Sequence, residues 1–160
     1  MVAEGKLFRI DKGIFSEQEH VPELALLSYK YPKAIITMET AFYLYGLTDE
    51  IPDMCTMATK REAAPIADSR VKQVFMPKEL LGMGATTMDY EGYQIRIFDR
   101  ERMLIELARY RCKMPFDNYK EIVGNYRRIL PQLNDEKIWD YAESVPKSNM
   151  VIRTLRTEVY

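Results

Sequence analysis

Residues 91–104 read Glu91-Gly92-Tyr93-Gln94-Ile95-Arg96-Ile97-Phe98-Asp99-Arg100-Glu101-Arg102-Met103-Leu104, and the apolar period changes inside that string. Tyr93, Ile95 and Ile97 alternate with Gln94 and Arg96, the spacing of a strand with one buried face. Glu91-Gly92 is a turn, so residues 86–98 are predicted to form a β-hairpin. From Asp99 onward the period is helical, with Leu104, Leu107 and Ala108 on one face of a first helix. Tyr119, Ile122, Val123, Tyr126 and Leu130 follow the i, i+3, i+4, i+7, i+11 spacing of a second helix. A third helix carries Ile138, Trp139, Ala142 and Val145, and a fourth, after Pro146, carries Val151, Ile152, Leu155 and Val159. The expected fold class is α+β: a small mixed β-sheet with packed helices and a helical C-terminal third, preceded by a wing-like β-hairpin.

Upstream of the hairpin the elements are shorter. Residues 5–15 hold two apolar runs around Asp11-Lys12-Gly13, a hairpin with a three-residue loop and an outward side made basic by Lys6, Arg9 and Lys12. A short helix begins at Pro22 with Glu23 at the positive end of its dipole, turns Leu24, Leu27 and Tyr29 inward, and ends at Pro32. Ile35-Ile36-Thr37 is extended, Thr37 is the N-cap of a two-turn helix, and Gly46 stops that helix in the left-handed conformation. Residues 48–52 form a loop, Cys55–Thr59 a strand, residues 60–70 an exposed connection and Val71–Met76 another strand.

Composition sets bounds on function. The 160 residues are 47% hydrophobic and 29% charged with a formal net charge of -1, an ordinary globular balance. No apolar run approaches the roughly 18 to 20 residues of a membrane span, and the N-terminus has no apolar signal core, so a cytoplasmic protein with no membrane partner is expected. Cys55 and Cys112 form no CxxC pair, and the single histidine, His20, lies in a polar run. Neither a metal site nor a catalytic triad has the residues it needs, no phosphate-binding or nucleophile-elbow string occurs, and no cofactor is expected. The expectation is a chain that is not an enzyme.

Charge is unevenly distributed. Residues 100–130 hold 8 basic and 4 acidic residues, whereas residues 1–99 hold 11 and 15. Arg109, Arg111, Lys113, Lys120, Arg127 and Arg128 face solvent together if the first two C-terminal helices pair antiparallel, which gives either a solvated helix face or a surface for phosphates. Asp99 reads as the N-cap of the first helix. The rival reading, a metal-dependent nuclease using Asp99 and Glu101, suffers because helical positions two apart point about 200° from one another. Eleven tyrosines and ten methionines suit a core, and also a docking surface for a partner.

Three strings together resemble the AbiE-type antitoxin family, the antitoxin half of the type IV (abortive infection) toxin-antitoxin systems of bacteria. They are Thr37-Met38-Glu39-Thr40-Ala41-Phe42-Tyr43-Leu44-Tyr45-Gly46-Leu47 with Thr48-Asp49 and Ile51-Pro52 after it, Phe98-Asp99-Arg100-Glu101-Arg102-Met103-Leu104, and Trp139-Asp140-Tyr141-Ala142 in the helical tail. Tyr43, Gly46, Leu47, Asp99, Glu101 and Arg102 carry the resemblance, while Met103 stands where a small polar residue is more usual in the family. The resemblance implies an N-terminal winged helix-turn-helix that binds promoter DNA, here reduced to residues 1–18, and a C-terminal antitoxin domain over residues 19–160. The wing would run from Glu4-Gly5 to Phe15 and place Lys6, Arg9 and Lys12 against DNA. Because Met1 stands almost at the wing, the recognition helix that reads the major groove is expected to be missing. The implied role is a non-enzymatic antagonist of a nucleotidyltransferase-like toxin, without assumed direct contact, and in a longer form a repressor of its own operon. A protein-interaction module without DNA binding is the alternative.

Overall fold

Alternation of Ile95 and Ile97 with polar neighbours gives a strand one buried face, and in the computed structural model, which describes residues 6–160, that strand lies inside a sheet. Strand β1 (Phe8–Asp11) and β2 (Ile14–Ser16) form a separate two-stranded ribbon, followed by helix α1 (Glu23–Lys30). The ribbon turns through Lys12-Gly13 rather than three residues, and the register shift between Arg9 and Asp11 absorbs the difference. Strand β3 (Ile35–Ile36), helix α2 (Met38–Leu44), β4 (Cys55–Lys60), β5 (Val71–Met76), helix α3 (Lys78–Leu81), β6 (Ala85–Tyr90) and β7 (Tyr93–Phe98) complete the sheet region. The five strands lie in the order β5-β4-β3-β7-β6, with β3 antiparallel to β4 and parallel to β7, β4 parallel to β5, and β6 antiparallel to β7.

The helical third follows without a break. Helix α4 (Arg100–Arg109), a 3₁₀ turn Arg111–Lys113, α5 (Phe116–Ile129), α6 (Asp135–Ser144) and α7 (Ser148–Thr154) with a π-helical turn Leu155–Val159 end the chain. The mixed α+β class and the helical C-terminal third stand as the sequence predicts. Thr37 precedes α2 in extended geometry, and Gly46, at φ 71°, ends it: Gly46 N–H bonds to Tyr43 O at 3.0 Å and Leu47 N–H to Phe42 O at 2.9 Å.

Two expectations are corrected. Helix α4 is apolar on one face in sequence, yet Arg102–Ala108 are all buried, because α2, α6, α7 and the chain around residues 80–84 enclose it. Its polar interior members, Arg102 and Glu106, lie one turn apart and face each other at 3.6 Å. Tyr29 points out and is 73% exposed; Ala25, Leu26 and Leu27 are the buried apolar residues of α1, where Ser28 Oγ accepts the Arg96 N–H of β7 at 3.2 Å. The core is one continuous apolar cluster in which Leu27, Ile36, Phe42, Met57, Ile97, Leu104, Tyr126 and Val151 are fully or almost fully buried. At about 1.5–3 kcal/mol for each large side chain, this burial is what holds sheet and helices together.

Candidate functional site

The first turn of α4 is where distant parts of the chain meet. Asp99 caps the helix by accepting the Arg102 N–H at 2.7 Å, and its second carboxylate oxygen accepts the Tyr141 hydroxyl of α6 at 2.9 Å. Tyr45 Oη donates to the Phe98 carbonyl at 2.7 Å, and Tyr126 Oη to the Arg100 carbonyl at 2.8 Å. Thr37 Oγ1 reaches the Met103 sulfur at 3.7 Å. Glu101 accepts the Asn134 N–H at 2.9 Å, at the N-cap of α6. Burial raises the Asp99 carboxyl above its ordinary range, against the lowering effect of the Arg102 N–H. Burial likewise holds Tyr45, Tyr126 and Tyr141 protonated far above neutral pH, so they act as donors.

Asp99 and Glu101 therefore hold different partners and do not converge on one ion. Among the described residues no group of three His, Cys, Asp or Glu side chains could ligate a metal. Cys55 is buried, its thiol pushed up to about 12 by desolvation, and Cys112 is exposed.

Arg102 has a role its charge does not announce. Its side chain is fully buried, its guanidinium donates to the Leu80 and Met83 carbonyls, and its carbon centre lies 4.3 Å from the Phe98 ring centroid. It stitches α3 and the following bend to α4. Of the other residues that carry the family resemblance, Gly46 is the cap described above, Leu47 is buried, and Tyr43 is 38% exposed.

The six basic residues of the helical third do not form one free face. Arg109 is held by the buried Glu106 at 2.8 Å. Arg111 pairs with Glu158 at 3.3 Å, and Arg127 Nε donates to the Glu158 carbonyl at 2.8 Å, so these two fasten the C-terminal turn. Lys113 lies near the Tyr110 ring and Lys120 near the Phe116 ring, each 5.5 Å from the centroid. Among the described residues Arg128 bonds only Asn125 of its own helix, at 2.8 Å, and with Lys113 and Lys120 it forms the exposed remainder.

On the β1–β2 ribbon Lys6, Arg9 and Lys12 are exposed, and Glu4 and Gly5 lie outside the described residues. Asp11 ties the ribbon to the body through Arg70 at 2.9 Å and Lys30 at 3.2 Å, and Asp68 joins the same cluster through Arg70 at 2.7 Å and the Tyr31 hydroxyl at 3.0 Å. The Arg70 guanidinium holds Asp11 at about 2 and Asp68 well below the usual carboxylate range.

Sequence reasoning missed a cleft of about 240 Å³ between the loop at residues 48–54 and the start of α5. Phe42, Ile51, Pro52, Met54, Met114 and Ile122 supply its apolar lining; Glu39, Glu50, Asp53 and Lys72 are its charged groups. Those residues come from four separated segments, so no local pattern marks them.

No protein-family model matches this chain, and no curated protein is significantly similar to it. Among the described residues no helix is long and apolar enough to cross a membrane.

Proposed function

We propose that the chain is a non-enzymatic antitoxin of a bacterial type IV (abortive infection) toxin-antitoxin system, acting in the cytoplasm against a nucleotidyltransferase-like toxin. One observation supports this reading above the others. The three strings that resemble the AbiE-type family, spread from Thr37 to Ala142, are joined at the α4 N-terminus by the bonds of Tyr45 to Phe98 and of Tyr141 to Asp99. Strings that resemble one family and also form one packed unit are more specific together than each is alone. Asp99 and Glu101 are architectural carboxylates in this reading, which favours it over the nuclease reading.

The antitoxin surface is the exposed remainder of the basic segment, with Lys113, Lys120 and Arg128 at its centre. Lys6, Arg9 and Lys12 contact promoter phosphates, and base readout belongs to a complete winged helix-turn-helix.

Growth rescue tests the reading. The gene adjacent to the one encoding this chain is expressed alone in the host and then together with the 160-residue chain. Restored growth is the expected result; continued arrest with folded, soluble chain present overturns it. In a promoter-binding assay, three ribbon cations predict weak, sequence-insensitive binding with a log-log salt slope of about -3.

A further inference from the structure

The 240 Å³ cleft beside α2 combines features that together specify an occupant. Its charged groups are three carboxylates, Glu39, Glu50 and Asp53, against one ammonium, Lys72. None of the four takes part in an ion pair among the described residues, whereas Asp11, Asp68, Asp99, Glu106 and Glu158 all do. The acidic excess excludes phosphates and nucleic acid from this place, because like charges across an interface repel. Ile51 is 72% exposed and Met54 42%, so apolar side chains stand at the mouth as well as along the floor. The cleft lies at the low end of small-molecule sites, which run from about 300 Å³ upward, and its volume suits one or two side chains of a protein segment. Two methionines, Met54 and Met114, give the lining the adaptability of surfaces that accept varied apolar side chains.

We propose that this cleft docks a segment of a partner protein in which an arginine or lysine stands next to a leucine-sized side chain. The apolar side chain enters between Ile51, Met54 and Ile122, and the cation meets Glu50 and Asp53 at the rim. The site abuts the basic helical surface, since Met114, Asn118 and Ile122 of its lining flank Lys113 and Lys120, but it shares none of that surface's charged residues and stands whether or not the antitoxin reading does.

The test is an NMR titration of the isotope-labelled full chain with three capped hexapeptides, one alternating leucine and arginine, one leucine and glutamate, and one serine and arginine. The leucine-arginine peptide is expected to shift the amides of residues 39, 50, 51, 53 and 54 and of 114–122, and the other two to leave them in place. Glu50→Lys with Asp53→Lys, both on an exposed loop, is expected to weaken that binding by roughly tenfold, as the loss of two rim ion pairs requires, and Ile51→Ser to weaken it further. The absence of cleft shifts, equal binding of either control peptide, or binding unchanged in the charge-reversed variant overturns the proposal. So does shifting of the same amides when the chain is merely concentrated, which would seat a second copy there, or when a short single-stranded DNA is added instead.

Discussion

Gly84 stands so close to Arg102 that a Cβ on the glycine would lie 2.6 Å from Arg102 Cβ and 3.1 Å from Asp99 Oδ1. Its φ of 80° adds a second constraint, since only glycine adopts that conformation without cost. The Gly84 carbonyl also accepts the Asp99 N–H at 2.7 Å, so the bend cannot retreat without loosening the start of α4. Gly84→Ala is expected to destabilise the chain by about 3 kcal/mol, combining left-handed strain of about 1–2 kcal/mol with overpacking of about 1–3 kcal/mol. Urea unfolding measures it, and a loss below about 1 kcal/mol would mean that the bend yields freely.

The same junction makes Arg102 a sensitive position. Removing its side chain leaves the Leu80 and Met83 carbonyls without their guanidinium donor and opens a hole beside Phe98. Arg102→Ala is expected to cost about 3–5 kcal/mol, the range for breaking a buried ion pair. Arg102→Met should cost less, because it refills the volume while Glu106 keeps Arg109 as its partner. Chemical denaturation of both variants decides between volume and charge; a larger loss for methionine than for alanine would contradict this account.

Which parts of this arrangement are legible in sequence follows from the range of the interactions involved. The hairpin β6–β7, the stripe Tyr119-Ile122-Val123-Tyr126 and the Gly46 stop are written in local spacing, and the structure places them as read. Helix α3 has four residues and β3 two, too short for any period to show, although β3 lies at the centre of the sheet. Nothing in the local spacing marks Arg102 and Glu106 as buried, because charge normally stays outside, and only the surrounding helices reveal that the two face each other within, with Arg109 also on Glu106. The partners of Arg111 and Arg127 are both on Glu158, far along the chain, so the basic segment looks freer in sequence than it is in the fold. Asp99 was recognisable as a cap from its position before the helical period, whereas its bond to Tyr141 crosses 42 residues.

The ribbon's tether predicts an acid-dependent loss of stability. Asp11 falls from an ordinary value of 3.8 to about 2 in the folded chain, with the Arg70 hydrogen bond as the leading cause. Its contribution is fully present above the unfolded pKa of about 4 and disappears as pH falls through about 2, because the unfolded state binds the proton first. Asp68 shifts in the same direction and adds to the loss. Asp99 is raised, so its protonation is easier in the folded chain and works in the opposite sense. Thermal unfolding scanned from about pH 6 to pH 2 should therefore show a shallower decline below about pH 4 in Asp11→Asn than in the parent chain. Identical slopes would show that the tether contributes nothing.

Lys147 is held at φ 58° and ψ 39° immediately before α7, where its carbonyl accepts the N–H groups of Met150 and Val151. A side chain there costs about 1–2 kcal/mol, while glycine brings an entropic cost of about 0.5–1 kcal/mol in the unfolded chain. Lys147→Gly is accordingly expected to stabilise by about 0.5 kcal/mol and raise the melting temperature by about 1–2 °C. A lower melting temperature would show that the exposed lysine has a compensating role.

Charge reversal on the helical third separates the antitoxin surface from its scaffold. Arg109, Arg111 and Arg127 are poor choices, since each also fastens Glu106 or Glu158 and its loss would disturb packing. Lys120 and Arg128 are exposed on α5, and among the described residues neither bonds outside that helix, so Lys120→Glu with Arg128→Glu should change stability by no more than about 1 kcal/mol. If the basic surface carries the antitoxin action, this double variant fails to restore growth in cells expressing the toxin, while its unfolding midpoint stays near that of the parent. Undiminished rescue would move the activity to another face, and the acidic cleft beside α2 is the next place to reverse charge, through Glu50 and Asp53.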